Sequence, residues 1–168
     1  MKYLVGIIIL LERIAPSSGL TCCPDAWTAF MGSCYLFGHT PMTFHEAAVL
    51  CKTYEAKLVH IETSNENTFI EDQLKHLYRD SNETAWWIGL TDENVEGLWK
   101  WHDTDTLATF TDWYPGEPST NGGGSNNEDC ASIYVRESFH WNDVDCQLYK
   151  YYPICELGGT ESSPEVVG

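Results

Sequence analysis

The stretch HWNDVDC (residues 140–146) places three oxygen-bearing side chains, Asn142, Asp143 and Asp145, between a tryptophan and a cysteine. A second stretch, EPSTNGGGSNNEDC (residues 117–130), also ends in a cysteine and is rich in polar residues and glycine. Its carboxylate and hydroxyl donors include Glu117, Ser119, Glu128 and Asp129. The two stretches together concentrate carboxylate, amide and hydroxyl oxygens in a short part of the chain.

Calcium takes about six to eight oxygen ligands from carboxylates, amides, backbone carbonyls and water, so this composition favours a calcium site. The alternative is an acidic loop that is simply exposed to solvent. A disulfide between Cys130 and Cys146 would favour the calcium site, because it would hold the two stretches side by side. Pro118 leaves a further possibility open, since a cis bond at Glu117–Pro118 would turn the side chains on both sides toward one point.

Upstream of these stretches, the hydrophobic pattern predicts two helices. Residues 43–56 and 63–80 each open with a threonine followed three positions later by a glutamate, and each carries one apolar stripe. Short strands rich in aromatic and β-branched residues are predicted elsewhere, in a hairpin at 23–37 and at 57–61, 86–90, 97–103, 130–138, 139–141 and 151–157. Helices that precede most of the strands predict an α+β domain rather than a parallel βαβ sheet.

The N-terminus and the cysteines indicate a secreted protein. Residues 1–19 have the layout of a signal peptide, and no later segment is long and apolar enough to span a bilayer, so we expect a soluble extracellular protein. All seven cysteines follow that segment, which predicts disulfides and leaves one thiol over. Zinc is disfavoured because the chain lacks a CxxC pair with a partner and HxxxH spacing.

The charge of the chain narrows the classes of partner. The formal net charge is -16, and removal of Lys2, Glu12 and Arg13 with the signal peptide makes it -17, since two cations and one anion are lost. Such a surface repels phosphate backbones and anionic headgroups, so we expect no nucleic-acid partner and no membrane-surface partner. It suits a cation.

The motifs, taken together, are specific enough to indicate a family. They are WIGL (87–90), EPS (117–119), EDC (128–130) and WND (141–143), with the spacing of six cysteines. This combination resembles a long-form C-type lectin carbohydrate-recognition domain, of the secreted single-domain type found in invertebrates, over about residues 23–157. The resemblance implies two helices flanking two small antiparallel sheets, with a long loop region that binds calcium.

The resemblance also implies the disulfide pairing and the domain boundaries. The implied intrachain pairs are Cys23 with Cys34, Cys51 with Cys155, and Cys130 with Cys146. The domain is expected over residues 20–157, followed by a flexible tail at 158–168. Six tryptophans are expected to pack in the core rather than to bind ligand: Trp27, Trp86, Trp87, Trp99, Trp101 and Trp141.

Carried over position by position, the resemblance implies a sugar-binding calcium site. Its ligands, for both the metal and the carbohydrate, would be Glu117, Ser119, Glu128, Asn142 and Asp143. Two adjacent sugar hydroxyls would bind the calcium ion and also hydrogen-bond to its protein ligands. An auxiliary calcium would use Asp92, Glu96, Glu128 and Asp129, although Thr120 stands where the family has aspartate.

The sugar specificity follows from the triplet Glu-Pro-Ser at residues 117–119. The family pattern for mannose-like sugars is Glu-Pro-Asn and that for galactose is Gln-Pro-Asp. The retained Glu117 favours mannose, N-acetylglucosamine or fucose over galactose, while Ser119 is a shorter and weaker ligand than asparagine. The long glycine-rich loop resembles galactose-binding members but contains no aromatic residue. Tyr114, His140 and Trp113 are the nearest substitutes, and Trp113 fits the core better.

Two positions outside the domain core carry further predictions. Cys22 is adjacent to Cys23 and is left as the odd thiol, so we expect it to link two chains in a disulfide-bonded dimer with avidity for repetitive glycans. Asn82 begins an Asn-Glu-Thr sequon and is a possible N-glycosylation site.

The resulting hypothesis is a secreted, calcium-dependent lectin that recognises glycans, including those of microbial surfaces, in innate immunity and agglutination. One alternative is an interaction protein on the same fold, with a protein, mineral or ice ligand. Another is a calcium-independent glycan binder with a degraded metal site. An enzyme is not expected, since Glu117 and Glu128 would be poor proton shuttles when committed to calcium.

Overall fold

The computed structural model describes residues 23–77, 85–119 and 128–158. The first half of the chain forms a hairpin, two helices and a short strand between the helices. In chain order these are β1 (Thr28–Phe30), β2 (Ser33–Phe37), α1 (Phe44–Thr53), β3 (Lys57–Leu58) and α2 (Ser64–Leu77). Both helices therefore form where the capping and periodicity signals predicted them.

The second half of the chain is made of strands. They are β4 (Ala85–Thr91), β5 (Lys100–Trp101), β6 (Cys130–Tyr134), β7 (Trp141–Val144) and β8 (Tyr152–Gly158). The strand predicted at 130–138 stops at Tyr134 and continues as a 3-10 turn. The strand predicted at 139–141 begins only at Trp141, because Ser138 and Phe139 have φ angles of 56° and 68°, outside the extended region.

The strands build two sheets that share one junction. β2 pairs antiparallel with both β1 and β8, and β3 lies beside β8. β4 pairs antiparallel with both β5 and β6, and β6 pairs antiparallel with β7. A short parallel pairing joins the sheets where Trp86 and Trp87 of β4 oppose Tyr152 and Pro153 of β8. The predicted α+β fold with two small sheets is confirmed, and the parallel junction is an addition to it.

The core lies on both faces of β4, whose seven residues are all buried. Successive strand residues point to opposite faces, so Trp86 and Trp87 enter different clusters. Trp86 packs with Ile70 and Leu74 of α2, whereas Trp87 packs with Phe44 and other residues of α1. The six tryptophans expected in the core all contribute to packing: Trp86, Trp87, Trp101 and Trp141 are fully buried, and Trp27 and Trp99 pack against the clusters.

The two capping signals form differently. At α1 the Thr43 N–H donates to the Glu46 carboxylate at 2.9 Å, as a capping box requires. At α2 the Glu66 N–H donates to the Thr63 hydroxyl at 3.2 Å. The Glu66 carboxylate instead accepts hydrogen bonds from the Glu62 N–H and the Tyr35 hydroxyl. The start of α2 is therefore tied to the hairpin as well as capped.

The three predicted disulfides are confirmed. Cys23 pairs with Cys34, Cys51 with Cys155, and Cys130 with Cys146. The second links α1 to β8 and the third links the start of β6 to the chain that leaves β7.

Several sequence predictions fall on parts of the chain beyond the described ranges. The signal peptide at 1–19, Cys22, Asn82, Thr120 and the tail from 159 onward lie outside the described residues, so these stay predictions. Gly158, assigned to the tail from the sequence, belongs to β8. In the described ranges, no helix combines the length and the apolar character needed to cross a bilayer.

The contact between β4 and the segment after β3 depends on Gly89. A Cβ at this position would lie 2.8 Å from the Leu58 carbonyl oxygen, and the Gly89 N–H donates to the Val59 carbonyl. We expect Gly89→Ala to lower the free energy of unfolding by about 2 to 3 kcal/mol, since backbone must move. Denaturant unfolding with intact disulfides measures it. Gly97→Ala is the control, because Gly97 has a φ of 73° but a Cβ there would meet open space. A smaller loss of unfolding free energy at Gly89 than at Gly97 would contradict this packing.

Candidate functional site

The predicted calcium ligands are brought together by β6, β7 and the loop that precedes β6. In the register between these strands, Ala131 opposes Asp143 and Ser132 opposes Asn142. The segment before the loop runs alongside β7, because the Tyr114 N–H donates to the Trp141 carbonyl at 2.8 Å. The chain entering β6 and the chain around residue 117 thus both reach the same end of β7.

Ser119 links the members of this site. Its N–H donates to Asp143 Oδ2 at 2.9 Å, and its hydroxyl donates to Glu128 Oε2 at 2.8 Å. The Asn142 Nδ2 donates to the Asp143 carbonyl at 3.1 Å, which leaves its Oδ1 as an acceptor. The Glu117–Pro118 peptide bond is cis. Of the two isomers left open by the sequence, the structure has the one that turns both flanking residues toward a common point.

Asp143 carries the most unusual carboxyl group of the site. The residue is 4% exposed, and its Oδ1 has no hydrogen-bond partner among the described residues. Burial raises the pKa of the Asp143 carboxyl group to about 7, and both a hydrogen bond shared with the Glu117 carboxyl group and the charge of Glu117 raise it further. The ion pairs found in the described residues involve none of Glu117, Glu128 and Asp143.

This donor set fits a hard divalent cation. Buried polar atoms are nearly always hydrogen-bonded, so the orphaned Oδ1 of Asp143 requires an explanation such as an ion or a water molecule. Carboxylate, amide and hydroxyl oxygens are the ligands that calcium prefers. A calcium ion would supply the positive charge that the clustered carboxylates lack in the described structure.

The auxiliary set is brought together in part. Asp92 is 4% exposed, its Oδ2 accepts the Gly97 N–H at 2.7 Å, and its Oδ1 has no partner among the described residues. Burial raises the pKa of Asp92 to about 6, and the charges of Glu96 and Asp129 add to the shift. The Asp92 N–H donates to the Asp129 carbonyl at 3.1 Å. Glu128, by contrast, hydrogen-bonds to Ser119.

One exposed aromatic side chain lies next to Glu117. Tyr114 is 39% exposed, its carbonyl accepts the Glu117 N–H at 2.8 Å, and its ring lies 6.4 Å from that of His140. His140 is half-buried, and its Nδ1 lies 3.0 Å from Asp112 Oδ2. Trp113 packs against Trp99 and Trp141 with ring centroids 4.6 and 5.8 Å away. Of the three aromatic substitutes considered from the sequence, Tyr114 is therefore the exposed one beside the site.

Sequence reasoning missed one acidic neighbour. Glu137 has an Oε2 without a partner in the described residues, and burial, followed by the charge of Glu117, raises its pKa. It was assigned to a strand because Tyr134 and Val135 favour extended backbone. The turn that places Glu137 near the site depends on Ser138 and Phe139, neither of which carries a strong sequence signal for positive φ.

Comparison with known proteins assigns the fold to a family. The model of the Lectin C-type domain family matches residues 40–157. The chain belongs to the C-type lectin family. The solved structure of the human scavenger receptor C-type lectin carbohydrate-recognition domain is similar over 82% of this chain and 99% of that domain's chain, with a TM-score of 0.69 and 33% identity. The herring type II antifreeze protein also matches, with a TM-score of 0.68, 28% identity and coverage of 82% and 99%.

Two C-type lectin relatives differ in how much of their length the chain covers. The chicken (Gallus gallus) hepatic lectin is 41% identical over 131 residues, which are 77% of this chain but 57% of the relative. The perlucin-like protein of the mussel Mytilus galloprovincialis is 31% identical over 160 residues, which are 90% of this chain and 96% of the relative. The chain thus spans little more than half of the hepatic lectin and nearly all of the mussel protein.

The expectation of a non-enzyme is confirmed, because the C-type lectin family to which the chain belongs is not a family of enzymes.

The orphaned carboxylate makes a prediction about stability without metal. In chelator at pH 8, we expect the free energy of unfolding of Asp143→Asn to be about 1 to 2 kcal/mol higher than that of the wild type. The variant is more stable because it lacks a buried charge. A carboxyl group whose pKa is raised in the native state lowers stability fully above that native pKa, and this cost disappears as pH falls to the unfolded-state pKa, so the difference should shrink as pH falls toward 4. Denaturant unfolding at several pH values measures it.

The exposed carboxylate of Asp72 provides the control, since Asp72→Asn removes a charge that is not buried. In millimolar calcium the order of the Asp143 variant and the wild type should reverse, because a ligand that binds only the native state stabilises it. A lower stability of Asp143→Asn in chelator at pH 8 would contradict the account of this group.

Proposed function

We propose that the protein is a secreted, calcium-dependent carbohydrate-binding lectin. Calcium would be held by Glu117, Ser119, Glu128, Asn142 and Asp143. The observation that supports this most is the buried Asp143 Oδ1, which has no partner among the described residues and lies in a cluster of carboxylates without a paired cation. The family membership of the chain supports the same function.

The side chains of the site can serve the metal and the sugar together. When bound, calcium would supply a positive charge that two adjacent sugar hydroxyls coordinate. Glu117 and Glu128 would each accept a hydroxyl proton with a carboxylate lone pair left over from the metal. Asn142 carries two N–H groups on Nδ2, of which one donates to the Asp143 carbonyl, so the other is available to the sugar.

We expect a preference for mannose, N-acetylglucosamine or fucose over galactose. Glu117 keeps the acceptor of the mannose-type pattern, whereas Ser119 replaces the amide that normally follows the proline. The exposed Tyr114 ring, next to Glu117, would contact the apolar face of a bound sugar, and His140, paired with Asp112, lies beside that ring. The auxiliary acids Asp92, Glu96 and Asp129 support a second calcium ion near the first.

A second candidate is an interaction protein on the same fold, or a glycan binder that does not use calcium. The observation that favours it is the hydrogen bond from the Ser119 hydroxyl to Glu128, since the protein then satisfies one carboxylate oxygen of the site by itself. The fold is shared with an antifreeze protein, so it does not by itself require sugar binding.

Removal of one proposed ligand tests the leading function. We expect the wild type to bind a glycan array in calcium and to lose this binding in chelator. Glu128→Gln should weaken calcium-dependent binding at least about tenfold, because it removes a charge from the ligand set. Glu62→Gln, at an exposed position before α2, is the control and should bind as the wild type.

The outcomes separate the candidates. Binding that persists in chelator and in Glu128→Gln would favour the calcium-independent glycan binder. The absence of glycan binding under both conditions would favour the interaction protein.

The departure at Ser119 generates a prediction of its own. Ser119→Asn restores an amide oxygen, a better calcium ligand than a hydroxyl, and removes the donor to Glu128. We expect calcium affinity to rise about threefold to tenfold, measured by isothermal titration, with mannose binding retained. Ser119→Ala is the comparison and should bind calcium more weakly than the wild type. Equal calcium affinities of all three proteins would show that residue 119 is not a ligand.

The proposed dimer rests on the odd number of cysteines. Three disulfides use six of the seven, and Cys22 is the one left over. A disulfide through Cys22 would join two sugar sites and give avidity for microbial surface glycans and agglutination. Gel electrophoresis should give a dimer band without reductant and a monomer band with it. A monomer in both lanes, or a dimer that persists in Cys22→Ser, would contradict this linkage.

A further inference from the structure

An open cavity of about 490 Å³ lies between α1, β3 and the β4–β5 pair. It is lined by Ala48, Val49, Leu58 and Gly89 and by a set of ionisable side chains. We call it the α1 groove. None of its lining residues belongs to the candidate calcium sites. Its volume is in the range of about 300 to 1,000 Å³ that is typical of small-molecule sites.

Helix α1 presents a second stripe to this groove. Its first stripe, Phe44, Ala47 and Cys51, is buried in the core. The second stripe follows the spacing i, i+3, i+4 and i+7 and consists of His45, Ala48, Val49 and Lys52. This stripe is apolar in the middle, with the Lys52 ammonium group at one end and the His45 imidazole, which lies 3.3 Å from the Glu93 carboxylate, at the other. Val49 is 65% exposed, so no described part of the chain covers the apolar portion.

The groove contains two of the few lysines of a strongly acidic protein. Lys52, Lys57, His45 and His102 line it with one acid, Asp103, and the Glu93 carboxylate lies 3.3 Å from His45 Nε2. Asp103 is already engaged, because His60 Nε2 lies 2.6 Å from its Oδ1. The whole chain has 9 lysines and arginines against 25 acids, so two lysines in one cavity depart from the rest of the surface.

The two lysines differ in how they are paired. The Lys57 ammonium lies 2.9 Å from His60 Nδ1 and 3.5 Å from Glu156 Oε2. The Lys52 ammonium has no hydrogen bond or ion pair with the described residues. Lys52 is therefore an available cation at one end of an uncovered apolar stripe.

We propose that the α1 groove binds an amphipathic organic anion, with a carboxylate next to Lys52 and an apolar body against Ala48, Val49 and Leu58. The available ammonium group selects the negative charge, and the exposed apolar stripe gains from burial of an alkyl body. Residues 45 and 52 are about 10 Å apart along the helix axis, which suits an extended chain of about eight carbons. The net negative charge elsewhere disfavours a polyanion, which would extend beyond the groove.

Octanoate is the probe for this site. In a titration followed by amide ¹H–¹⁵N spectra in chelator, we expect saturable shifts confined to residues 45–58 and to Gly89 and His102. Octanamide has the same alkyl chain as octanoate but no carboxylate charge. It should bind about threefold to tenfold more weakly, because it cannot form an ion pair with Lys52. Acetate, which lacks the body, should give no saturable shifts at the groove.

Two substitutions on the exposed face of α1 test the two halves of the site. Lys52→Gln should weaken octanoate binding about threefold to tenfold and should abolish the preference for octanoate over octanamide. Val49→Ser should weaken octanoate and octanamide alike. Lys75→Gln is the control, since Lys75 lies on α2 and pairs with Glu71, and it should bind as the wild type.

The proposal is overturned if saturable shifts are absent or map elsewhere, if octanamide binds as tightly as octanoate, or if Lys52→Gln binds octanoate unchanged. The chelator keeps the result independent of the lectin function. An absence of glycan binding with saturable octanoate binding would contradict only the lectin proposal. Calcium-dependent glycan binding without saturable octanoate binding would contradict only the proposal for the α1 groove.

Discussion

The antiparallel pairing of β6 with β7 is the constraint on which both the core and the candidate site depend. The same four residue pairs that bury Ile133 and Trp141 also set Asn142 and Asp143 at the strand end where residues 117–119 arrive. Cys130 and Cys146 close this hairpin covalently. The site is therefore built on rigid strands at one side and on loop segments at the other. A change in the β6–β7 register by one residue would bury Asn142 and turn Asp143 away from the site.

The second feature that organises the site is its unbalanced charge. The carboxyl groups of Glu117, Glu128 and Asp143 lie together, and Ser119 donates to two of them. The buried Oδ1 of Asp143 has no hydrogen-bond partner among the described residues. Such an arrangement lowers the stability of the metal-free protein and increases the gain on binding a cation. Ser119 reduces this imbalance slightly by donating to Glu128. Ser119, which departs from the family pattern, is thus also the residue that we propose sets how strongly the site requires calcium.

The elements that could be predicted from the sequence are those with local causes. Thr43 and Glu46 fix the start of α1 within a few residues, and the motif around Asn142 and Asp143 indicated the proposed ligand set through its resemblance to the family. The strand after Cys130 was predicted too long, since β6 ends at Tyr134 and Val135–Glu137 form a 3-10 turn before the left-handed Ser138 and Phe139. The α1 groove could not be predicted either, since the two lysines and two histidines converge from separate elements.

We propose that Asp143 Oδ1, which has no hydrogen-bond partner among the described residues, is a calcium ligand. A crystal structure of the protein grown in calcium chloride tests it most directly. We expect an ion with calcium-strength anomalous scattering at about 2.3 to 2.6 Å from oxygen atoms of Glu117, Ser119, Glu128, Asn142 and Asp143, including Asp143 Oδ1. A water molecule at Asp143 Oδ1 and no ion between these residues, at millimolar calcium, would contradict it.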